Sequence, residues 1–234
     1  MTGSEYANIR NMKKAPEIFY DWLRDCGNGE GVPLDYIHDD NDYMKFTPDF
    51  GIQQNLEEIL TFLDLINADK KGSILEIGLG YYGSSHFLFK SFFKDVLTVE
   101  FSIDRTRDFF RHLEKYDDAA ENLGTSAVVI GDSINPLSFY KVTKHMKKIG
   151  LDGFDCLFID GCHSLQYVLG DHQLYSSLVK PGGFIAFHDS LSPMLESGVP
   201  TYISLLEQGF GGQSKIDFQR VELSANLGIA FYGV

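Results

Sequence analysis

Two periodicities divide the chain. Between Gln53 and Ala68 the apolar residues Leu56, Ile59, Leu60, Leu63 and Ile66 recur three and four positions apart, which lays them on one face of a helix. From Ser73 onward the pattern shortens to β-type runs, SILEIG, DVLTVEF, SAVVIGD, FDCLFID and GGFIAFHD. The stretches between these runs are long enough for crossover helices, so the strands should lie parallel in one sheet covered on both faces. Near the end, FQRVEL and LGIAFYGV flank a short SAN segment and predict an antiparallel hairpin.

The first 50 or so residues lack this alternation. They carry scattered aromatics (Tyr6, Phe19, Tyr20, Trp22, Tyr36, Tyr43, Phe46), a CGNGEG stretch and an acidic HDDND run. One helix is expected near Pro16 to Asp25, followed by irregular chain. The division that results is an N-terminal cap segment over residues 1–52 and a main domain over 53–234.

Composition narrows the partners. The 234 residues include 33 Asp and Glu against 20 Lys and Arg, a net charge of −13. Phosphate binding relies on clustered Lys and Arg, so this balance disfavours a nucleic acid or an anionic membrane surface and favours a small or neutral partner. No stretch approaches the roughly 20 apolar residues of a membrane span, and Met1 to Lys14 has no apolar core like that of a signal peptide. A soluble cytoplasmic protein is therefore expected. The cysteines, Cys26, Cys156 and Cys162, are odd in number and show no C-x-x-C spacing, which fits reduced thiols.

The chemistry begins after the first strand. LEIGLGYYGSSHF places Gly78, Gly80 and Gly83 as G-x-G-x-x-G between a strand and a helix, where the backbone must turn tightly against a ligand. Glu100 ends the next strand, 20 residues after Gly80, where a ribose-binding carboxylate is expected. The glycines alone fit a nicotinamide dinucleotide, S-adenosylmethionine or an ordinary tight turn. Glu76 separates the ligands: a carboxylate two residues before the first glycine suits a cationic ammonium and sulfonium and would repel a pyrophosphate. Ser84 and Ser85, at the helix start, could bind a carboxylate.

LEIGLGYYGSS, VEFS, IGDS and FDCLFIDGCHSLQYVLGDHQLYSSLVKPGGFIAFHD together resemble a class I S-adenosylmethionine-dependent methyltransferase. More narrowly, they are similar to the metal-dependent O-methyltransferases of the macrocin and mycinamicin type, a family that also contains the cephalosporin-hydroxylase-like proteins. The D-G-x-H and K-P-G-G-x-x-x-x-H-D segments are the specific part, and the likeness covers roughly residues 53–234. It implies an α/β, Rossmann-like doubly wound, mostly parallel seven-stranded sheet closed by the C-terminal hairpin. It further implies that Glu76, Gly78 and Gly80 line the methionine portion of the cofactor and that Glu100, with Phe101 beside it, takes the ribose. Asp132 and Ser133 would read the adenine. One departure is visible, since Tyr82 stands where the common loop has its third glycine, with Gly83 next.

Asp160 and Asp189 end the fourth and fifth strands, which meet at their C-terminal ends if they are neighbours. Two carboxylates there repel unless a cation or shared proton intervenes, so a divalent metal is the economical reading, the alternative being aspartates that cap helices. Mg²⁺ would hold an acceptor hydroxyl and lower its pKa. The family often has a carboxylate where this chain has His188, and a nitrogen ligand would tilt the preference toward Mn²⁺, unless His188 points elsewhere. His163 matches the histidine of D-G-x-H and is the candidate general base, alongside a role in ordering the loop. Cys162 has no role as nucleophile, because direct methyl displacement needs no covalent enzyme intermediate. Asp171 and His172 read as a solvated face or as partners of ligands.

The expected reaction is attack of a deprotonated hydroxyl of a small molecule (a sugar, a polyketide-type or a phenolic acceptor) on the sulfonium methyl. The aromatic N-terminal zone and the SLSPMLESGVP stretch after Asp189 are the segments available to cover the acceptor. A homo-oligomer is compatible with the sequence. Two rivals remain. An NAD(P)-dependent oxidoreductase is weakened by Glu76, by the terminal hairpin and by the lack of a Tyr-x-x-x-Lys pair. A non-catalytic binding protein on a methyltransferase fold is opposed by the intact acidic set and kept open by His188.

Overall fold

The computed structural model describes residues 17–26, 55–68, 72–80, 83–116, 125–194, 197–210, 214–222 and 227–234. In chain order these form α1 (Glu17–Cys26), α2 (Leu56–Leu65), β1 (Ser73–Ile77), α3 (Ser84–Lys90), β2 (Asp95–Glu100), α4 (Ile103–Leu113) and β3 (Thr125–Ile130). They continue with α5 (Pro136–Ile149), β4 (Phe154–Ile159), α6 (Leu165–Tyr175), β5 (Val179–His188), α7 (Val199–Glu207), β6 (Gln219–Val221) and β7 (Ile229–Gly233). The helices start where short polar side chains can satisfy free N–H groups: the Oδ1 atoms of Asn55 and Asn135 accept from Glu58 N and Leu137 N at 3.0 and 2.9 Å.

One seven-stranded sheet has the order β3-β2-β1-β4-β5-β7-β6. β1 to β5 are parallel, and β7 runs antiparallel to both β5 and β6. This is the doubly wound sheet and terminal hairpin expected from the sequence, with β7 inserted between β5 and β6. The order reverses between β1 and β4, so the loops leaving these strands part and open a crevice at their C-terminal ends.

Two apolar layers enclose the sheet, and alternate strand residues serve each. On one face Ile74, Val96, Cys156, Phe158, Ala186 and Phe231 pack with α1, α2 and α3; on the other Leu75, Leu97, Leu157, Ile185, Phe187 and Ala230 pack with α5, α6 and α7. α1 belongs to the first layer. Its Trp22 is fully buried and stacks on Phe87 with ring centroids 4.2 Å apart, so the described part of the expected cap is built into the main core. The GNGEG and HDDND stretches, Tyr82 and the SAN turn lie outside the described residues.

Candidate active site

The loops after β1 to β5 line a cleft of about 660 Å³. Gly78, Gly80, Ser84, Ser85, Glu100, Phe101, Asp132, Ser133, Asp160, His163, His188 and Asp189 all border it. Every site residue named from the sequence is therefore on one surface except Glu76.

The glycine loop is shaped by the neighbouring strand. Gly78 has φ +98°, and a Cβ there would stand 2.3 Å from the carbonyl oxygen of Asp160. Only glycine lets the β1 loop lie this close to the β4 loop. Glu100 braces the same loop: its Oε2 accepts from Leu79 N at 2.9 Å and its Oε1 from Ser102 N at 2.7 Å. Arg105, which the sequence did not single out, places Nη1 3.9 Å from Glu100 Oε1 and lines the cleft. Phe101 is 78% exposed and stands at the rim. Asp132 turns the β3 loop by accepting from Ile134 N at 3.2 Å, and Tyr167 Oη lies 3.5 Å from its other oxygen.

Glu76 corrects the expectation that it lines the cofactor's methionine portion. Its neighbours in the strand, Leu75 and Ile77, face the α5, α6 and α7 layer, so Glu76 shares the opposite face with Ile74 and is wholly buried. Its oxygens accept from Ser85 Oγ and from Thr98 Oγ1. Burial pushes its pKa up to about 8, against the pull of those two hydrogen bonds. Its sequence-level argument for a cationic ligand does not survive this placement.

At the ends of β4 and β5 the side chains converge. His163 Nδ1 lies 2.7 Å from Asp189 Oδ2, and its Nε2 is 3.6 Å from Asp160 Oδ1. One ligand atom each from Asp160, His163 and Asp189 fall within 4.8 Å of one another. His188, expected among the ligands, lies beneath this group: its Nδ1 is 3.2 and 3.4 Å from Asp160 Oδ1 and Asp189 Oδ1, and its Nε2 is 4.0 Å from Glu58 Oε2. Consecutive strand residues point to opposite faces, which turns His188 toward the α2 layer and its neighbour toward the cleft. Asp189 makes that turn with φ 59°, the left-handed region that a non-glycine residue adopts at a cost.

Burial works against charge throughout this group, and the partners overcome it for four of the five. His188 and His163 hold Asp160 below the ordinary carboxylate range, and their hydrogen bonds hold Asp189 well below it. The carboxylates of Asp160 and Asp189 raise His188 well above its usual value and push His163 up to about 10. Glu58 is the exception, because burial pushes it up to about 7 despite the nearby His188. Glu58 was absent from the sequence reading, where it is one more polar residue in the first turn of an amphipathic helix.

Asp171 and His172 are buried in α6 rather than solvated. His172 bridges the hydroxyls of Tyr202 and Tyr232, both at 2.7 Å, and ties α6 to α7 and β7.

A methyltransferase domain family matches residues 75–190, and no curated protein matches the chain. Among solved structures, the O-methyltransferase TomG of Streptomyces achromogenes, involved in tomaymycin synthesis and bound to SAM, is similar at 15% identity. The overlap covers 98% of this chain and 94% of that one, with a TM-score of 0.58. An O-methyltransferase of Bacillus cereus in complex with SAH has 14% identity, coverage of 98% and 96%, and a TM-score of 0.55. MycE, a methyltransferase of the mycinamycin biosynthetic pathway in complex with Mg and SAH, has 18% identity and a TM-score of 0.50 over 86% of this chain and 55% of its own. With a methyltransferase-domain model matched over residues 75–190 and the sheet order shared with the solved methyltransferases, the chain carries the class I methyltransferase fold.

Proposed function

We propose that the protein is an S-adenosylmethionine-dependent O-methyltransferase acting on a hydroxyl of a small molecule. The observation that carries this reading is that one cleft joins two kinds of wall. The glycine loop, Glu100, Asp132 and Ser133 form a nucleoside-sized side, and Asp160, His163 and Asp189 form a charged side next to it. A methyl donor on the first side faces an acceptor on the second. The similar TomG and Bacillus cereus structures hold SAM and SAH, which supports the same ligand here.

The cofactor would supply an electrophilic methyl group, and the chain's residues do the aligning. Glu100 has lone pairs left beyond its two backbone N–H partners and takes the ribose hydroxyls, with Asp132 and Ser133 beside the base. His163, the half-exposed member of the charged side, receives the acceptor's proton. That role needs a neutral ring, and with His163 neutral the single cation of His188 faces two carboxylates, Asp160 and Asp189, which leaves one negative charge to balance.

A divalent metal fits that requirement. Two carboxylates and an imidazole converge within ligand distance, and a mixed oxygen and nitrogen set favours Mn²⁺ over Mg²⁺. When bound, such an ion would polarise an acceptor oxygen and lower its pKa. MycE, with bound Mg, supports this reading. The excess of acidic residues supports a small acceptor over a nucleic acid, and no described helix is long and apolar enough to cross a membrane.

Titration calorimetry tests the proposal. S-adenosylmethionine should bind with micromolar-range affinity and NAD should not. Asp160→Asn should keep cofactor binding while losing Mn²⁺ binding measured by the same method. Tight NAD binding with none for S-adenosylmethionine would overturn the function, and Mn²⁺ binding unchanged by Asp160→Asn would remove the metal site.

A further inference from the structure

Strands β3 and β4 are not neighbours. With β2 and β1 between them they stand three inter-strand steps apart, about 14 Å, so no ladder of hydrogen bonds directly ties the loops that follow them. Asp132 and Ser133 lie on the first of these loops and Asp160 to His163 on the second, and both loops border the cleft. Side chains must hold them together.

Helix α6 supplies such side chains at a spacing of four. Tyr167, Asp171 and Tyr175 share one face of the helix, and that face meets the β3 loop. Tyr167 Oη lies 3.5 Å from Asp132 Oδ2, and Tyr175 Oη donates to the carbonyl oxygen of Ser133 at 2.8 Å. Asp171 stands between the two tyrosines, wholly buried, with the Ser133 hydroxyl beside its carboxyl. A Cβ on Gly161 would be 3.7 Å from Asp171 Oδ2, so the same carboxyl also reaches the β4 loop. Gly170 brings the helix close, since a Cβ there would stand 2.6 Å from Ile134 Cγ2.

Asp171 and Tyr175 do not border the cleft. Neither oxygen of Asp171 has a hydrogen bond of good geometry, a costly state for a buried carboxyl. Burial pushes its pKa up to about 7, with the Ser133 hydroxyl pulling the other way.

We propose that Asp171 and Tyr175 are positioning residues that hold the β3 loop against α6 and so set the width of the nucleoside side of the cleft. Neither touches the ligand. The hydrogen-bonding capacity left open on Asp171 is taken up by the Ser133 hydroxyl when a nucleoside seats the loop. The proposal rests on the reading of the cleft as an S-adenosylmethionine site.

Calorimetry on the full chain at pH 6 tests it, with methylthioadenosine as the probe because that ligand carries the nucleoside and lacks the amino-acid end. Tyr175→Phe keeps the ring, removes the bond to Ser133 and should weaken binding about fivefold, the scale of one hydrogen bond. Asp171→Ala loses the contacts with both loops and should weaken it about tenfold. Asp171→Asn keeps the size of the group and can either accept from Ser133 or donate to it, so its affinity should stay within about twofold of the original. S-Adenosylmethionine, which shares the nucleoside, should follow the same order. Methylthioadenosine bound as tightly by Tyr175→Phe and Asp171→Ala as by the original would overturn the proposal, even if both variants melt at a lower temperature. An affinity lost in Asp171→Asn as fully as in Asp171→Ala would assign the effect to charge and not to contact, and the proposal would fall. If Asp171→Ala does not fold, Tyr175→Phe and Asp171→Asn decide alone. If the original binds neither methylthioadenosine nor S-adenosylmethionine, the reading of the cleft falls and the proposal with it.

Discussion

Two groups of buried polar residues lie within the same sheet and are built in opposite ways. Behind β1 the carboxyl of Glu76, Thr98 Oγ1 and both nitrogens of His86 have partners. At the ends of β4 and β5, both oxygens of Glu58, both nitrogens of His188 and Oδ1 of Asp189 lack a hydrogen bond of good geometry, and Asp189 carries backbone strain as well. Buried polar groups are usually satisfied, because each unmet one costs about 1–3 kcal/mol. A satisfied group can be understood as framework. An unsatisfied and strained one at the floor of a cleft is understood when it has a function outside the fold. The difference teaches that burial of a polar group does not by itself mark an active site here, whereas unmet hydrogen bonds together with backbone strain at the floor of a cleft do.

Substitutions at each group should break or sharpen that contrast. The largest effect is expected at Asp189. Asp189→Ala should lower methyl transfer by a factor of about 10² to 10⁴, the range for loss of acid–base and positioning groups, with the far-UV circular dichroism unchanged. An activity within fivefold of the original would place the chemistry elsewhere.

Gly78 lies between the two groups, and Gly78→Ala should cost about 3 kcal/mol or more in urea unfolding. It forces a positive φ on alanine and drives its Cβ into the Asp160 carbonyl. A loss under 1 kcal/mol would show that the β1 and β4 loops are not held in this contact.

A smaller effect concerns pH. The pKa of Glu76 rises from 4.5 unfolded to about 8 folded, so the folded state binds the extra proton. Its contribution to stability is present below pH 4.5 and is lost as pH rises through about 8. Glu76→Gln should therefore flatten the fall in melting temperature between pH 5 and 8.5. His86, which packs against it, is shifted the opposite way by burial and is neutral across that window, and Asp160 is held below the ordinary carboxylate range, so the difference between variant and original isolates Glu76. Parallel melting curves would show that Glu76 is ionised in the folded protein.

The smallest effect should come from a pair remote from both groups. Arg220 and Glu207 form a part-exposed ion pair, and Arg220→Ala should shift stability by less than about 1 kcal/mol, falling further at high salt.

Much of this protein could be read before its structure. The strands β1 to β5, the helix before them and the terminal hairpin follow from local periodicity, because each element's pattern is complete within a dozen residues. The same periodicity placed Gly78, Glu100, Asp132, Asp160 and Asp189 at strand ends, and a parallel sheet gathers those ends at one edge. Side-chain direction was less legible. Glu76 is one residue from a position that borders the cleft, His188 borders it only from the α2 side, and nothing local states which face of the sheet a strand residue serves. Glu58 was invisible for another reason: it meets His188 across 130 positions of sequence.

The sequence by itself determined the alternation of strands and helices, the acidic surface and the set of residues that stand at the carboxyl edge of the sheet, because these depend on neighbours in the chain. Only the tertiary structure decided that His163 meets the two aspartates from the cleft and His188 from beneath, that Glu58 lies below His188, and that Glu76 is enclosed behind the cleft wall. Those assignments depend on strand register, on the layer each side chain enters and on the balance between burial and partner charge, none of which exists until the helices close over the sheet.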